Sequence, residues 1–516
     1  MATQLVWFKR DLRVHDHAPL VQAARSGPCL CLYLYEPELL HSPEFDASHL
    51  AFINQSLAEL SRELGDRGAA LVTRAGEATE VLEQLQREFA FDTIWSHQET
   101  GNRITYDRDR RVAVWARKRG VVWNQLPNHG VFRRLDSRDG WAQRWEALMR
   151  QPVLSPPARI PSVAGGRSAG VRDAAALGLA ANERREALSG GEALGKATLE
   201  SFLQRRGVNY RADMSSPVQG WNGCSRLSPY LAWGNLSIRQ VVQASRRRSA
   251  ELKELRARGG EIDRRWLPSL NSFSQRLHWH CHFIQKLEDE PDIEFHNMNR
   301  AFDGLREDAF DVQRFQAWCG GQTGYPMVDA CMRALARGGW INFRMRAMLV
   351  SFASHHLWLH WRPTAQYLAR LFLDFEPGIH FAQMQMQAGT TGINTVRIYS
   401  PAKQVVDQDP RGLFIRRYCP ELEGVPDEFL AEPQRMPVAV QRHAGCRIGK
   451  DYPAPIVDHA SAYREARERI HAVKRSAEAR RLAGLVYEKH GSRRRPARRA
   501  AQRERSGSAG ARGGHD

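Results

Sequence analysis

The chain contains no apolar run of about 18 residues, the minimum for a helix that crosses a bilayer, so a helical membrane anchor is excluded. Its opening, MATQLVWFKR, lacks the basic start and long apolar stretch of a secretory leader, and a cytoplasmic location is expected. The eight cysteines (29, 31, 224, 281, 319, 331, 419 and 446) include no C-x-x-C pair. A disulfide scaffold and a zinc ribbon are therefore excluded. Cys29 and Cys31 alternate in CLCLYLY, as residues packed on one strand face do. Negative charge is also in short supply: 57 Asp and Glu face 75 Lys and Arg, for a net +18. That balance suits an anionic partner such as DNA. It is unevenly spread, because residues 464–516 hold 16 Lys or Arg against 6 Asp or Glu.

What is present is a chain of 516 residues, long enough for two domains and extras. Short apolar runs alternate with amphipathic stretches at the start, with strands expected at Leu5–Phe8, Cys29–Tyr35, Ala70–Thr73, Thr93–Trp95 and Val121–Gln125. This pattern predicts an α/β domain over residues 1–132, a parallel sheet wound with helices. An interdomain linker is expected over 133–191, rich in Pro, Gly, Ser and Ala from about residue 151. Residues 192–488 show mostly helical periodicity and predict a large all-α domain. The segment 489–516 is basic and nearly free of large apolar residues, and is expected to be a disordered tail or a nonspecific DNA anchor.

The most informative stretch is GYPMVDACMRALARGGWINFRMRAM, residues 324–348. It places Asn342, Arg344 and Arg346 at every second position just after Trp340, in an otherwise apolar setting. Buried guanidiniums need anionic partners or a planar ligand. Asp374 and Glu376, two apart in LDFEPGIHF, are the candidate partners, and such a cluster can hold a large, charged, aromatic cofactor. Ahead of SPYLAWGNL, the loop Cys224-Ser225-Arg226-Leu227-Ser228 supplies hydroxyls and N–H groups for a diphosphate at a helix N-terminus. Ser228 as an ordinary N-cap before Pro229 reads the same residues. His278 and His282 are four apart, as metal ligands can be, but no third ligand has matching spacing, and no metal is expected.

The 324–348 segment resembles the flavin-binding core of the DNA photolyase/cryptochrome family. LVWFKRDLRVHDHAPL (5–20), CSRLSPYLAWGNLS (224–237), TGINTVRIYSPAKQ (391–404) and GLFIRRYCPEL (412–422) are similar to further family motifs and occur in family order. The chain is thus identified as a divergent, bacterial-type member over nearly its whole length. The resemblance implies FAD, with Tyr210, Cys224, Ser225, Arg226, Leu227, Ser228, His280, Asn342, Arg346, Asp374 and Glu376 as its contacts. It implies a deoxyribodipyrimidine photolyase-type lyase, repairing pyrimidine dimers in damaged DNA by light-driven electron transfer from reduced flavin. Arg276, Trp279, Phe343, Arg344 and Met386 fall at the DNA side, with Trp279 placed to stack on an extruded base or to serve as a core residue. Trp361, His380 and Met384 fall at the electron-transfer and flavin-N5 positions.

The chain departs from the family pattern at several of these places. Cys224 stands for a threonine, Arg276 for a lesion-binding glutamate, Phe343 for an asparagine, and His380 for the usual asparagine. Met384 and Met386 replace two tryptophans, so only Trp361 remains of the usual three-member relay, and the outermost position falls near Phe302. Trp318, Trp340 and Trp358 are alternative electron carriers. A second, antenna chromophore of unassigned identity would lie near Glu99 and Asn102. The departures keep open a cryptochrome-like photoreceptor with a signalling partner, or a flavoprotein that binds nucleic acid without light chemistry. A monomer is expected.

Overall fold

The computed structural model describes residues 2–491 apart from positions 164, 166, 167 and 169. The basic segment 492–516, on which the tail expectation rests, lies outside the described residues. The first domain is a five-stranded, wholly parallel sheet: β1 (Gln4–Phe8), β2 (Cys29–Tyr35), β3 (Leu71–Ala75), β4 (Thr93–His97) and β5 (Val122–Leu126), in the order β3-β2-β1-β4-β5. Each expected strand is present within two residues of its sequence position. Counting only helices of nine residues or more, α1 (Ala18–Ser26), α2 (Ala47–Gly65), α3 (Ala78–Phe89) and α4 (Arg103–Arg119) connect them.

β1 and β2 are buried along their whole length, as continuous apolar runs in a doubly covered sheet must be. Alternation sends Leu5 and Trp7 into one core and Val6, Phe8, Cys29 and Cys31 into the other. That second core continues without a break into Phe202, Tyr210, Trp233 and Phe273 of the helical part. One sheet face therefore serves as the floor on which the rest of the protein is laid.

The connection 133–191 is not bare chain. It contains α5 (Trp141–Arg150), whose Trp141, Trp145 and Met149, four apart, are all buried. The helical part follows with α6 (Glu192–Gln204), α7 (Ile238–Ala257), α8 (Trp266–Asp289), α9 (Pro326–Gly338), α10 (Phe343–Ser351), α11 (Trp361–Leu371), α12 (Pro377–Ala388), α13 (His459–Arg475) and α14 (Ala477–His490). α5 and α8 flank α7, while α12 packs on α8, α10 and α11. A Cβ at Gly378 would lie 2.6 Å from Ile284 Cα, so glycine is what lets α12 start this close to α8.

Polar clamps weld the two parts. Arg13, fully buried, donates to Gly234 O (3.0 Å), and Asn235 Nδ2 donates to Leu12 O (3.0 Å). Gly234 has φ +72°, and a Cβ there would sit 2.2 Å from Arg10 O. Arg10 lies over the Trp233 ring at 4.6 Å and donates through Nε to Ala232 O (2.9 Å). Among the described residues no helix is long and apolar enough to cross a membrane.

Candidate flavin site

The guanidinium of Arg346 makes a bidentate pair with Asp374, at 2.8 and 2.9 Å, and lies over Phe372 at 4.2 Å. Its Nε donates to Ile341 O (2.9 Å), which fixes the fork in one plane. The sequence separation of 28 residues is closed because α10 and the loop before α12 meet at the same end of the bundle. Glu376 is buried, with the Arg10 guanidinium 3.7 Å away. Burial pushes its carboxyl up to about 7, and Arg10 only partly opposes this. Asn342 donates through Nδ2 to Met214 O (3.1 Å), while its Oδ1 is buried and has no partner. Arg344 Nε and Gln383 Oε1 are likewise buried and unpartnered. Asn342 also borders a cavity of about 430 Å³ walled by Trp221, Trp340 and Phe414.

The loop 224–228 has the geometry of an anion cradle in its backbone. Arg226 takes a left-handed conformation (φ 58°) and Leu227 a right-handed one, so that successive N–H groups turn to one side. Arg226 lies over Trp221 at 4.8 Å and its Nε is unpartnered. Arg206, which sequence reasoning missed, holds the loop by donating to Cys224 O (2.6 Å) and Ser225 O (3.2 Å). Cys224 is buried, and burial raises its thiol to about 12, so it offers no thiolate. The expected helix N-terminus is weaker than foreseen. The helix here is only Ser228–Ala232, Ser228 is already its first residue, and no side chain caps it. The N–H groups of the loop itself, with Arg226, remain as the donors. Tyr210 is buried between Phe202 and Phe273 and hydrogen-bonds Arg276.

Along α8, His280 is half-buried, edge-on to His129 at 5.8 Å, and pulled down to about 4 by burial. Trp279 is 37 % exposed and stacks on Phe283 (5.6 Å, 28°). It is not the core tryptophan that its apolar character also allowed. Phe343, the first residue of α10, is 47 % exposed. Met384 is buried in the core and Met386, two residues on, is half-buried. His380 is enclosed by Phe372, Phe375 and Phe381 and donates through Nε2 to Ala365 O (2.8 Å). Burial pulls its imidazole down to about 4, so it is neutral at physiological pH rather than titrating there.

Trp361 is fully buried and donates to Asn297 Oδ1 (2.8 Å). Trp358, three residues earlier, shares a cluster with Phe302 and has φ 55°. Two guanidiniums lie over its ring, Arg306 at 4.5 Å and Arg469 at 4.9 Å. Trp318 is fully buried with its Nε1 unpartnered, and Trp340 meets Trp221 edge-on at 5.7 Å.

At the carboxyl edge of the sheet, where β1 and β4 part company, doubly wound folds usually receive ligands. Here three cavities of about 10, 20 and 20 Å³ remain, each room for about one water. Arg108 fills the space, paired with Glu36 (2.7 Å), Glu99 (2.5 Å) and Asp109 (2.7 Å). Asn102 caps α4 through its side chain. Behind it Asp11 joins His17 (3.0 Å) and His97 (2.7 Å), three groups with metal-like spacing. His17 Nδ1 accepts from Leu20 N–H, so its Nε2 carries the proton and donates to Asp11. Burial would raise the Asp11 carboxyl, but the two imidazoles hold it well below the usual range. Hydrogen bonding accounts for this cluster.

The orphaned Asn342 Oδ1, the paired Arg346, the buried Glu376 and the 224–228 cradle fit a ligand with a planar heteroaromatic end and a diphosphate. Comparison with known proteins agrees. Residues 4–139 match the family described as DNA photolyase, and residues 272–472 the FAD-binding domain of DNA photolyase. The chain is 29% identical over 484 residues to a deoxyribodipyrimidine photo-lyase of Streptomyces griseus, covering 90% of this chain and 98% of that protein. It is 28% identical over 482 residues to cryptochrome DASH of Gloeobacter violaceus, covering 88% and 93%. A bacterial class III photolyase from Agrobacterium tumefaciens superposes with a TM-score of 0.78 at 26% identity, covering 92% of this chain and 98% of that one. With this fold and both family matches, the chain is an FAD-binding member of the DNA photolyase/cryptochrome family.

Proposed function

We propose that this protein repairs pyrimidine dimers in DNA, driven by blue or near-UV light. When bound, reduced FAD supplies the electron that light drives into the lesion and that returns after the dimer splits. The chain's own residues do the rest. Asp374 holds Arg346 in a fixed plane, so a positive charge faces the flavin ring without reorganising. Glu376, whose carboxyl is raised to about 7 by burial, accepts from the ring N–H groups or holds a proton beside them. His380, neutral and tied to Ala365 O, closes the ring's edge against water. The 224–228 loop and Arg226 receive the diphosphate.

The observation that carries the reading is the exposure of Trp279 and Phe343 on α8 and α10, two helices packed on α12. An extruded, poorly paired lesion gains stacking on such aromatics, and Arg344, next to Phe343, is the candidate donor for phosphate or base. The relatives carry photo-lyase and cryptochrome names alike. A photoreceptor is the second reading, favoured by Arg276, which hydrogen-bonds Tyr210 where a lesion-binding glutamate is usual, and by the buried Met384 in place of a tryptophan. The deciding experiment adds dimer-containing oligonucleotide to the fully reduced holoprotein, illuminates with blue light, and scores restored pyrimidines. Restoration supports repair. If neither cyclobutane dimers nor (6-4) lesions are restored, the photoreceptor reading replaces it.

A further inference from the structure

Between α11 and α12 the chain passes through residues 370–376, the stretch that carries Asp374 and Glu376. α11 ends at Leu371, and the last carbonyls of a helix have no partner within it. Side chains from elsewhere supply the bonds. Arg184 donates through Nη2 to Arg370 O (2.8 Å) and through Nη1 to Leu371 O (2.7 Å). His49 donates through Nε2 to Phe372 O (2.9 Å), Trp233 through Nε1 to Leu373 O (2.8 Å), and Arg10 through Nη2 to Phe375 O. Five of the six carbonyls from 370 to 375 are thus met by side chains at least 140 residues away in sequence. All four donors lie outside the stretch 272–472 that matches the FAD-binding domain. Arg10 and His49 belong to the first domain, and Arg184 to the connection.

We propose that His49 and Arg184 are positioning residues for the flavin: by fixing the backbone of 370–375 they place the carboxylates of Asp374 and Glu376, and through Asp374 the plane of Arg346. The donors form one unit. The Trp233 ring lies 4.6 Å from Arg10 and 5.6 Å from the His49 ring, and Arg184 pairs at 3.1 Å with Asp46, the N-cap of α2. His49 is fully buried with its Nδ1 unpartnered, so its single proton lies on Nε2. Burial pulls this imidazole down to about 4, and the neutral donor keeps its bond across the physiological range. A carbonyl held from outside orients the whole peptide plane to which it belongs, and a guanidinium fork spanning two successive carbonyls orients two. Burial of Phe372, Leu373 and Phe375 is non-directional, and by itself holds the stretch without aiming its carboxylates. Flavin binding alone underlies this role, so it is independent of whether the protein repairs DNA.

The test compares His49→Phe and Arg184→Met with Arg239→Met, which breaks a different interdomain clamp, the hydrogen bonds of Arg239 to Asp16 and Gln151. The full-length proteins are read for FAD dissociation constant, denaturant midpoint, and amide hydrogen exchange at Leu373 and Phe375, whose N–H groups bond Gly339 O and Phe372 O. All three variants are expected to lose stability. Only His49→Phe and Arg184→Met should bind FAD roughly ten-fold more weakly and exchange faster at the two amides. Arg184→Lys, which keeps one of the two carbonyl bonds, should bind FAD about three-fold more weakly, and takes the place of the stronger variants where these do not fold. Parental FAD affinity and parental exchange in the His49 and Arg184 variants overturn the inference and leave both residues as interdomain packing. A ten-fold loss shared by Arg239→Met also overturns it, because FAD affinity would then follow stability and not the 370–375 backbone.

Discussion

Two charged regions lie on either side of Arg10, and they have been solved in opposite ways. At the sheet edge Arg108 is surrounded by Glu36, Glu99 and Asp109, and Lys9 stands 3.6 Å from both Glu99 and Asp109. Charge there is met mostly by ion pairs within the protein, although Lys9 Nζ makes no hydrogen bond, and only water-sized gaps remain. In the helical part Arg346 and Asp374 pair, but Asn342 Oδ1, Arg344 Nε and Gln383 Oε1 are left with nothing to bond. A buried polar group costs free energy unless it is satisfied. Leftover polar atoms therefore mark where a ligand belongs, whereas dense ion pairs mark architecture. A second chromophore at the sheet edge would have to displace those pairs.

The contrast is broken most forcefully at Arg108. Arg108→Met leaves three buried carboxylates facing one another and is expected to cost about 3–5 kcal/mol of stability, read by denaturant unfolding. The FAD of whatever protein remains folded should have an unchanged spectrum. Asp374→Ala makes the reverse split. Its penalty of similar size, about 3–5 kcal/mol, falls on the flavin, so the purified protein should lack flavin absorbance while its far-UV circular dichroism is retained.

Glu376 sharpens the comparison through pH. Its folded carboxyl titrates near 7 against 4.5 when unfolded, so the folded state binds the extra proton. The resulting stability is full below about pH 4.5 and declines as pH rises through 7. Across that window the flavin-free protein should lose on the order of 3 kcal/mol from this group, and Glu376→Gln should flatten the slope relative to the parent. Trp279→Ala should weaken lesion-DNA binding by about 1–3 kcal/mol with no change in flavin content. The smallest effect is expected at His380. Because its imidazole sits near 4, His380→Asn should leave the pH profile of flavin photoreduction between 6 and 8 unmoved.

The sheet was legible because length and residue type agree: runs such as LVWF and CLCLYLY are short, apolar and rich in strand-favouring residues, as covered strands are. The cost of burying a lone guanidinium pointed to Asp374 and Glu376 as partners of Arg344 and Arg346, and left open which pairs with which. Less was readable where a signal was short or distant. The helix α5 hid in a segment judged by its later Pro and Gly content, although Trp141, Trp145 and Met149 spell one turn after another. Arg206 and Arg10 were missed because their partners are main-chain oxygens and a glutamate hundreds of residues away, which no local pattern announces. Whether Trp279 faced solvent or core depended on packing that the sequence does not record.

The two guanidiniums over Trp358 bear on how this protein handles an electron vacancy. An indole that gives up an electron becomes a cation, and here it would do so about 4.5 Å from one fixed positive charge and 4.9 Å from another. At the dielectric typical of partly buried sites each contact of that length is worth on the order of 3 kcal/mol of repulsion, less for the more exposed Arg469. These two charges would make Trp358 harder to oxidise than an indole without them, and Glu465, 3.6 Å from Arg469, would reduce that cost.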